Sequence, residues 1–374
     1  MLLIKNVRLY SEEEEPQDIL CCGKDIIAIG KDVNCSLPVD VTVDGMGKVA
    51  IPGYIDMHVH VTGGGGEGGF ANQVPPLRLS ELIRAGETTV VGLLGTDGTT
   101  RCVENLLAKT KSYNEEGWTA YCLTGSYELP SPTITGSVTR DIALISEIIG
   151  VKVCISDHRS SAPTEQELIR LATEARMGGL LSNKPGVMHM HVGKGRDELR
   201  TIIDIVKNTE IPVSVFRPTH MGRHPEQGAE FAKLGGYVDF TSGDYPETAA
   251  KQIIEAMKGI PFEQMTLSSD GNGSMPKWNE KHELIGISAG KVSSNHEVIR
   301  CLVRNHGFRL SEAIKLLTEN PAKSLNMYPY KGLLAKGSCA DVLLLDQELN
   351  IDTVVANGKL FLENKELKYV PRFE

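Results

Sequence analysis

Eight runs rich in apolar and β-branched residues, each separated from the next by a stretch of helical character, constrain the fold of this 374-residue chain more than any other feature. The runs fall at 50–60, 88–94, 119–124, 151–156, 187–192, 213–217, 237–242 and 265–269. Helical stretches at 79–85, 102–113, 140–149, 165–177, 196–207, 225–234 and 246–258 lie between them, and 295–305 and 310–318 add two more. Apolar spacing in Glu167-Leu168-Ile169-Arg170-Leu171-Ala172 and in Leu199-Arg200-Thr201-Ile202-Ile203 gives each helix one buried face. Strand–helix alternation repeated eight times predicts an α/β fold, a parallel (β/α)8 TIM-like barrel. An open doubly wound sheet is the alternative, but no GxGxxG follows the first run.

The two chain ends follow a different pattern. Residues 2–10 alternate loosely, and Asp18-Ile19-Leu20-Cys21-Cys22 and Asp25-Ile26-Ile27-Ala28-Ile29 flank the turn Gly23-Lys24. Near the C-terminus, strands at 340–346 and 351–356 precede Asn357-Gly358, a hairpin turn leading into Lys359-Leu360-Phe361-Leu362. Residues 1–50 and 328–374 are therefore expected to form one small β-sandwich domain, with residues 51–327 as the barrel. The acidic run from Glu12 to Glu15 reads as a solvated turn.

Composition narrows the class of function. A net charge of −9 without a basic stripe gives no nucleic-acid footprint. No run approaches the roughly 18 apolar residues of a membrane span, and the apolar opening Met1-Leu2-Leu3-Ile4 is too short for a signal peptide. The eight cysteines are scattered without a CxxC, so they read as reduced thiols in a cytoplasmic protein.

Chemistry concentrates at the C-terminal ends of the runs, where a barrel places its active site. Asp56-Met57-His58-Val59-His60 puts two imidazoles on one side of a strand, and the glycine run Gly63–Gly66 follows at once. The fourth run carries Lys152 inside Val151-Lys152-Val153-Cys154-Ile155, the fifth ends in His191, the sixth leads into His220, and the eighth into Asp270. Each residue alone has an ordinary structural reading; all six at strand ends point to a metal centre. A lysine buried in a parallel strand has a lowered pKa, and its free amine can add carbon dioxide to give a carbamate, an anionic two-oxygen bridge between cations. His58, His60 and Asp270 would hold one ion, and His191 and His220 the other. Imidazole and carboxylate donors suit zinc. Two ions roughly 3.5–4 Å apart would share a hydroxide made available near neutral pH.

These residues, with Ile51-Pro52-Gly53-Tyr54-Ile55, Asn320-Pro321-Ala322-Lys323 and the closing segment 332–342, resemble the amidohydrolase superfamily of binuclear metal hydrolases over nearly the whole chain. Narrower motifs are similar to the isoaspartyl dipeptidases. They are Thr62 to Phe70, Leu94-Gly95-Thr96-Asp97-Gly98, Gly125-Ser126-Tyr127, Ile155-Ser156-Asp157-His158-Arg159-Ser160, Arg217 to Arg223, and Ser269 to Ser274. The resemblance implies two zinc ions per chain with an N6-carboxylysine at Lys152, and hydrolysis of β-aspartyl dipeptides by the bridging hydroxide. It implies that Glu67 and Thr96 hold the substrate α-ammonium, with Gly65 in the loop that presents Glu67. Arg159, Arg223 and Ser274 would hold the carboxylates, and Tyr127 would polarise the scissile carbonyl. Asp270 would carry the proton from the hydroxide to the leaving amine. His158, His189 and His224 would be supporting or structural, and His282, His296 and His306 structural or on the surface. Family analogy further implies a homo-oligomer, such as an octamer. The competing readings are a dihydroorotase, a hydantoinase, an N-acyl-amino-acid deacylase, or a scaffold that has lost its metals. Glu67 separates the first group, because a cyclic amide has no free α-ammonium for it to bind.

Overall fold

A computed structural model describes residues 1–33, 36–65, 67–278 and 284–374; Cys35, Gly66 and His282 lie outside the described residues. The chain opens with strands β1 (Leu2–Leu9), β2 (Gln17–Cys22), β3 (Asp25–Gly30), β4 (Val41–Asp44) and β5 (Val49–Pro52). The barrel strands follow: β6 (Ile55–Val59), β7 (Thr89–Gly92), β8 (Thr119–Gly125), β9 (Ile148–Ile155), β10 (Val187–Val192), β11 (Phe216–Thr219), β12 (Val238–Thr241) and β13 (Met265–Ser268). A hairpin of β14 (Ser274–Trp278) and β15 (Leu284–Ala289) comes next, then β16 (Val342–Leu345), β17 (Ile351–Ala356), β18 (Lys359–Glu363) and β19 (Glu366–Leu367).

The ends of the chain share one nine-stranded sheet. Its order is β19-β18-β17-β16-β5-β1-β2-β3, with β4 against β1. Leu2, Ile4, Val7, Ile19, Ile26, Val342 and Leu344 form its own buried cluster. The turn at Asn357-Gly358 has φ of 49° and 71°, the left-handed pair that a two-residue hairpin needs, and Ala356 pairs with Lys359 across it.

Strands β6 to β11 run parallel in sequence order, and β12 pairs in parallel with β13. The ring continues from β11 to the neighbouring β12 and closes from β13 to β6, where Val59 bridges Gly271 and the His60 amide donates to the Gly271 carbonyl at 2.9 Å. All eight residues of β9 and all six of β10 are buried. Helices cover the outer face of a parallel barrel, so its strands read as continuous apolar runs. The helix Glu165–Ser182 shows how sequence sets the crossovers: Thr164 and Glu167 form a capping box at its start, and Asn183 ends it in the left-handed conformation.

Three expectations are corrected. The first run, expected as one strand over 50–60, is two. Val49–Pro52 pairs antiparallel with β16 in the end sheet, and only Ile55–Val59 enters the barrel. Gly53 makes the break possible, since a Cβ there would lie 2.1 Å from Thr88 Oγ1. The helix expected at 140–149 is Val138–Leu144, because Ile148 and Ile149 are already buried in β9. The helix expected at 310–318 is a short α segment, Leu310–Ala313, running into a tighter turn at Ile314–Leu317. The β14–β15 hairpin was not expected.

The end sheet grips the barrel through Phe361. Its ring is fully buried and meets Trp118 edge-on, with centroids 4.9 Å apart at 87°. Phe361→Ala should destabilise the protein by about 3–5 kcal/mol, read as a lower urea midpoint; a loss under about 1 kcal/mol would show that this contact does not join the two regions.

Candidate active site

The barrel mouth is a cavity of about 990 Å³. Of the residues singled out from sequence, His60, Gly65, Glu67, Thr96, Tyr127, Arg159, His191, His220, Arg223, Asp270 and Ser274 line it. His58 and Lys152 lie beneath, fully buried. The structure thus brings all thirteen to one place.

The imidazoles are held by one nitrogen each in three of four cases. His58 Nδ1 lies 2.9 Å from His189 Nε2, His220 Nδ1 lies 2.7 Å from Thr241 Oγ1, and His191 Nε2 lies 3.0 Å from Asp157 Oδ2. The opposite nitrogens of His58 and His191 meet Asp270 and Tyr127. His58 Nε2 and His60 Nε2 lie 3.3 and 3.1 Å from Asp270 Oδ1, and donor atoms of His58, His220 and Asp270 all fall within 4.8 Å of one another. The His191 and His220 rings are 4.5 Å apart between centroids. His220 and Asp270 have φ of +67° and +53°. Left-handed backbone at a non-glycine residue is strained and recurs at functional sites; here it turns two side chains back over the strand ends.

Electrostatics keep these donors ready. Burial and the Lys152 charge push His58 down to about 3, and burial pushes His191 down to about 4, so both rings are neutral near pH 7. Burial would raise the Asp270 carboxyl, but the neighbouring His58 and His60 outweigh it and keep it ionised. Asp56 anchors the strand beneath. It accepts from the His58 amide at 3.1 Å and from Ser269 on the closing strand's exit, tying β6 to β13 below the mouth.

Lys152 is the outlier. Its Nζ is buried with no hydrogen-bond partner among the described residues, and burial lowers its pKa to about 8. Buried polar groups are as a rule paired, and of the unpaired buried side-chain atoms among the described residues this is the one ammonium. An orphaned amine beside neutral imidazoles and a carboxylate is what a cation-binding centre completed from outside would leave, so these residues fit a metal site.

The rim of the cavity carries charged groups. Glu67 accepts from Thr96 Oγ1 at 3.0 Å, from Ser274 Oγ at 2.9 Å and from Arg159 at 3.1 Å. Partial burial would raise the Glu67 carboxyl; hydrogen bonds from its own backbone, Ser274 and Thr96 and the Arg159 charge hold it below its ordinary value. Gly65 allows the approach: its φ is +92°, and a Cβ would lie 2.1 Å from the Asn72 carbonyl oxygen. Tyr127 Oη lies 2.7 Å from His191 Nδ1, and burial raises its pKa, so the hydroxyl stays protonated. Arg223 sits exposed on the turn Met221–Arg223 at the cavity edge.

Sequence reasoning gave no individual role to Asp157, Lys194, Asp244 or Tyr245, which also line the cavity. His189 was set aside as supporting, and the structure puts it against His58. Its spacing from His191 repeats the HxH of β6, a signal that was available. His158 lines the cavity with its side chain 82% exposed, and His296 is buried against Tyr54.

The chain belongs to the amidohydrolase family, whose model matches residues 49–361. Its structure is similar to that of the β-aspartyl dipeptidase from Fervidobacterium islandicum AW-1 in complex with β-Asp-Leu. The TM-score is 0.92 and identity 42%, and the match covers 100% of each chain. A second structure of that enzyme gives 0.90 and 41%, again over 100% of each chain. A 5-methylthioadenosine/S-adenosylhomocysteine deaminase from Thermoanaerobacter pseudethanolicus is 23% identical over 431 residues, covering 99% of this chain and 95% of the relative.

Lys152→Met provides a direct check on the orphaned amine. It should stabilise the metal-free protein by roughly 1–4 kcal/mol, because a buried charge is replaced by an apolar chain of similar length, while lowering the zinc retained after dialysis. Unchanged metal content with unchanged stability would show that the amine is neither strained nor a ligand.

Proposed function

We propose that this protein hydrolyses β-aspartyl (isoaspartyl) dipeptides with the aid of two zinc ions. The observation that carries the reading is Glu67. It is a carboxylate held by Thr96 and Ser274 on the rim of the cavity, beside Arg159, above a cluster of neutral histidines. A β-aspartyl dipeptide carries one ammonium and two carboxylates, which matches one acid and two arginines.

His58, His60, His191, His220 and Asp270 would hold the ions, with Lys152 as a carbamate between them. The lowered pKa of Lys152 supports that carboxylation, since it is the free amine that adds carbon dioxide. When bound, the ions supply a hydroxide at neutral pH and polarise the scissile carbonyl. The chain's own residues do the rest. Glu67 and Thr96 take the α-ammonium, and Arg159, Arg223 and Ser274 take the carboxylates, arginine by its two-pronged fork. Tyr127, protonated because it is buried, donates to the carbonyl oxygen as negative charge develops there. Asp270, ionised, takes the proton released at the mouth and returns it to the leaving amine.

The same reading extends to organisation. The expected units, 1–50 with 328–374 and 51–327, are proposed with the first boundary moved past β5, which pairs in the end sheet. The seven described cysteines are all free, which supports a reducing, cytoplasmic setting. No helix among the described residues is long and apolar enough to cross a membrane. Assembly into a homo-oligomer is carried by family analogy alone.

A substrate panel tests the reading: β-Asp-Leu against dihydroorotate, a hydantoin, N-acetyl amino acids and 5-methylthioadenosine. β-Asp-Leu should be turned over, and Asp270→Asn should keep bound metal while losing about 10²–10⁴-fold in kcat. Turnover of a cyclic amide or a nucleoside with none of β-Asp-Leu would replace the proposal, and undiminished activity of Asp270→Asn would remove its proton carrier.

A further inference from the structure

One carboxylate at the mouth has no part in the reaction above, yet touches both halves of the site. Asp157 follows β9 directly, after Ser156 at φ +52°. Its Oδ2 lies 3.0 Å from His191 Nε2 and accepts from Arg159 Nη2 at 3.0 Å. Its Oδ1 accepts from Arg159 Nε and from the Arg159 backbone amide, both at 2.9 Å. Every acceptor direction of the carboxylate is thus used. Arg159 then reaches Glu67 with Nη1 at 3.1 Å. The loop after β10 packs closely on this corner: a Cβ on Gly193 would lie 2.6 Å from Asp157 Cβ and 2.3 Å from the Ser156 carbonyl oxygen.

Two readings of this corner compete. Donor atoms of Cys154, Asp157 and His191 lie within 4.8 Å of one another, a spacing that could hold an ion of its own. The hydrogen bonds oppose that: both Asp157 oxygens are committed to Arg159 and His191. The other reading uses a general device: a metal-bound histidine donates its second N–H to a carboxylate, which fixes ring and tautomer. Asp157 is well placed for this. Its two oxygens are paired with the Arg159 guanidinium, the pairing of a carboxylate. An ionised carboxylate at Nε2 places the His191 proton there and leaves the Nδ1 lone pair facing the mouth, where Tyr127 now meets it.

We propose that Asp157 is a positioning residue with two tasks: it aims His191 Nδ1 at the metal centre, and it sets the Arg159 guanidinium beside Glu67. One side chain then aligns a metal ligand and a substrate-binding arginine, so that metal loading and substrate binding share an anchor. This rests on the reading of the site given above.

The test uses the full chain carrying Asp157→Ala, with the near-isosteric Asp157→Asn serving if the alanine variant does not fold. An asparagine amide cannot accept from both His191 and Arg159 as the carboxylate does, so it too loses part of the anchor. Zinc titration against a buffered chelator, without substrate, should show one of the two ions weakened by about 10–100-fold and the other near its original affinity. With zinc held saturating, KM for β-Asp-Leu should rise at least about tenfold, because Arg159 has lost its brace. A general structural defect would weaken both ions together and lower the melting temperature of the metal-free protein. That outcome overturns the proposal, as do two ions at original affinity with KM unchanged. If no variant and no parent turns over β-Asp-Leu while the selective loss of one ion persists, the dipeptidase reading fails and the His191 half of the inference stands.

Discussion

The Lys152 ammonium sits in the middle of β9, a strand whose every residue is buried, and the mouth of the barrel is organised around that fact. An isolated charge in such surroundings is unfavourable by several kcal/mol. The chain offers it no hydrogen-bond partner among the described residues, and its surroundings include neutral imidazoles. A sequence selected only for stability would place an aliphatic residue there. On the reading proposed above, the strand is completed by something the chain does not encode, a carbamate bridging two cations.

The rest of the mouth keeps the candidate donors in place. His189, Thr241 and Asp157 each hold one ring nitrogen of His58, His220 and His191. Positive φ at His220 and Asp270 turns the strand exits back over the mouth. Asp56 joins the first and last strands just below. A preformed site of this kind avoids reorganisation when the substrate binds, and electrostatic catalysis depends on that. The rim differs in kind: Glu67, Thr96, Arg159 and Ser274 form a connected set of hydrogen bonds matched to charge, not to metal.

Much of this was legible in the sequence. The eight runs gave the parallel barrel because strands covered on both faces must be apolar throughout, a pattern that survives without knowledge of any contact. The convergence of the six candidate donors was legible because barrel geometry converts a position along the chain into a position at the mouth. The chain's break at Gly53 was not. Residues 49–59 are apolar on both sides of the break, and what separates them is pairing with Val342–Leu345, nearly three hundred residues later. The partners of the histidines were equally hidden. Nothing near Asp157 in sequence says that it meets His191, since only the β9–β10 register brings them together. The β14–β15 hairpin was missed because Pro276 and Gly286 weaken the strand signal.

The central claim is that Lys152 bridges two metal ions as a carbamate. Diffraction from zinc-loaded crystals grown with bicarbonate, recorded at the zinc edge, tests it most directly. Two anomalous peaks flanking Lys152 are expected, one beside His58, His60 and Asp270 and the other beside His191 and His220, with continuous density beyond Nζ. A bare Nζ, or a single peak remote from Lys152, would contradict it.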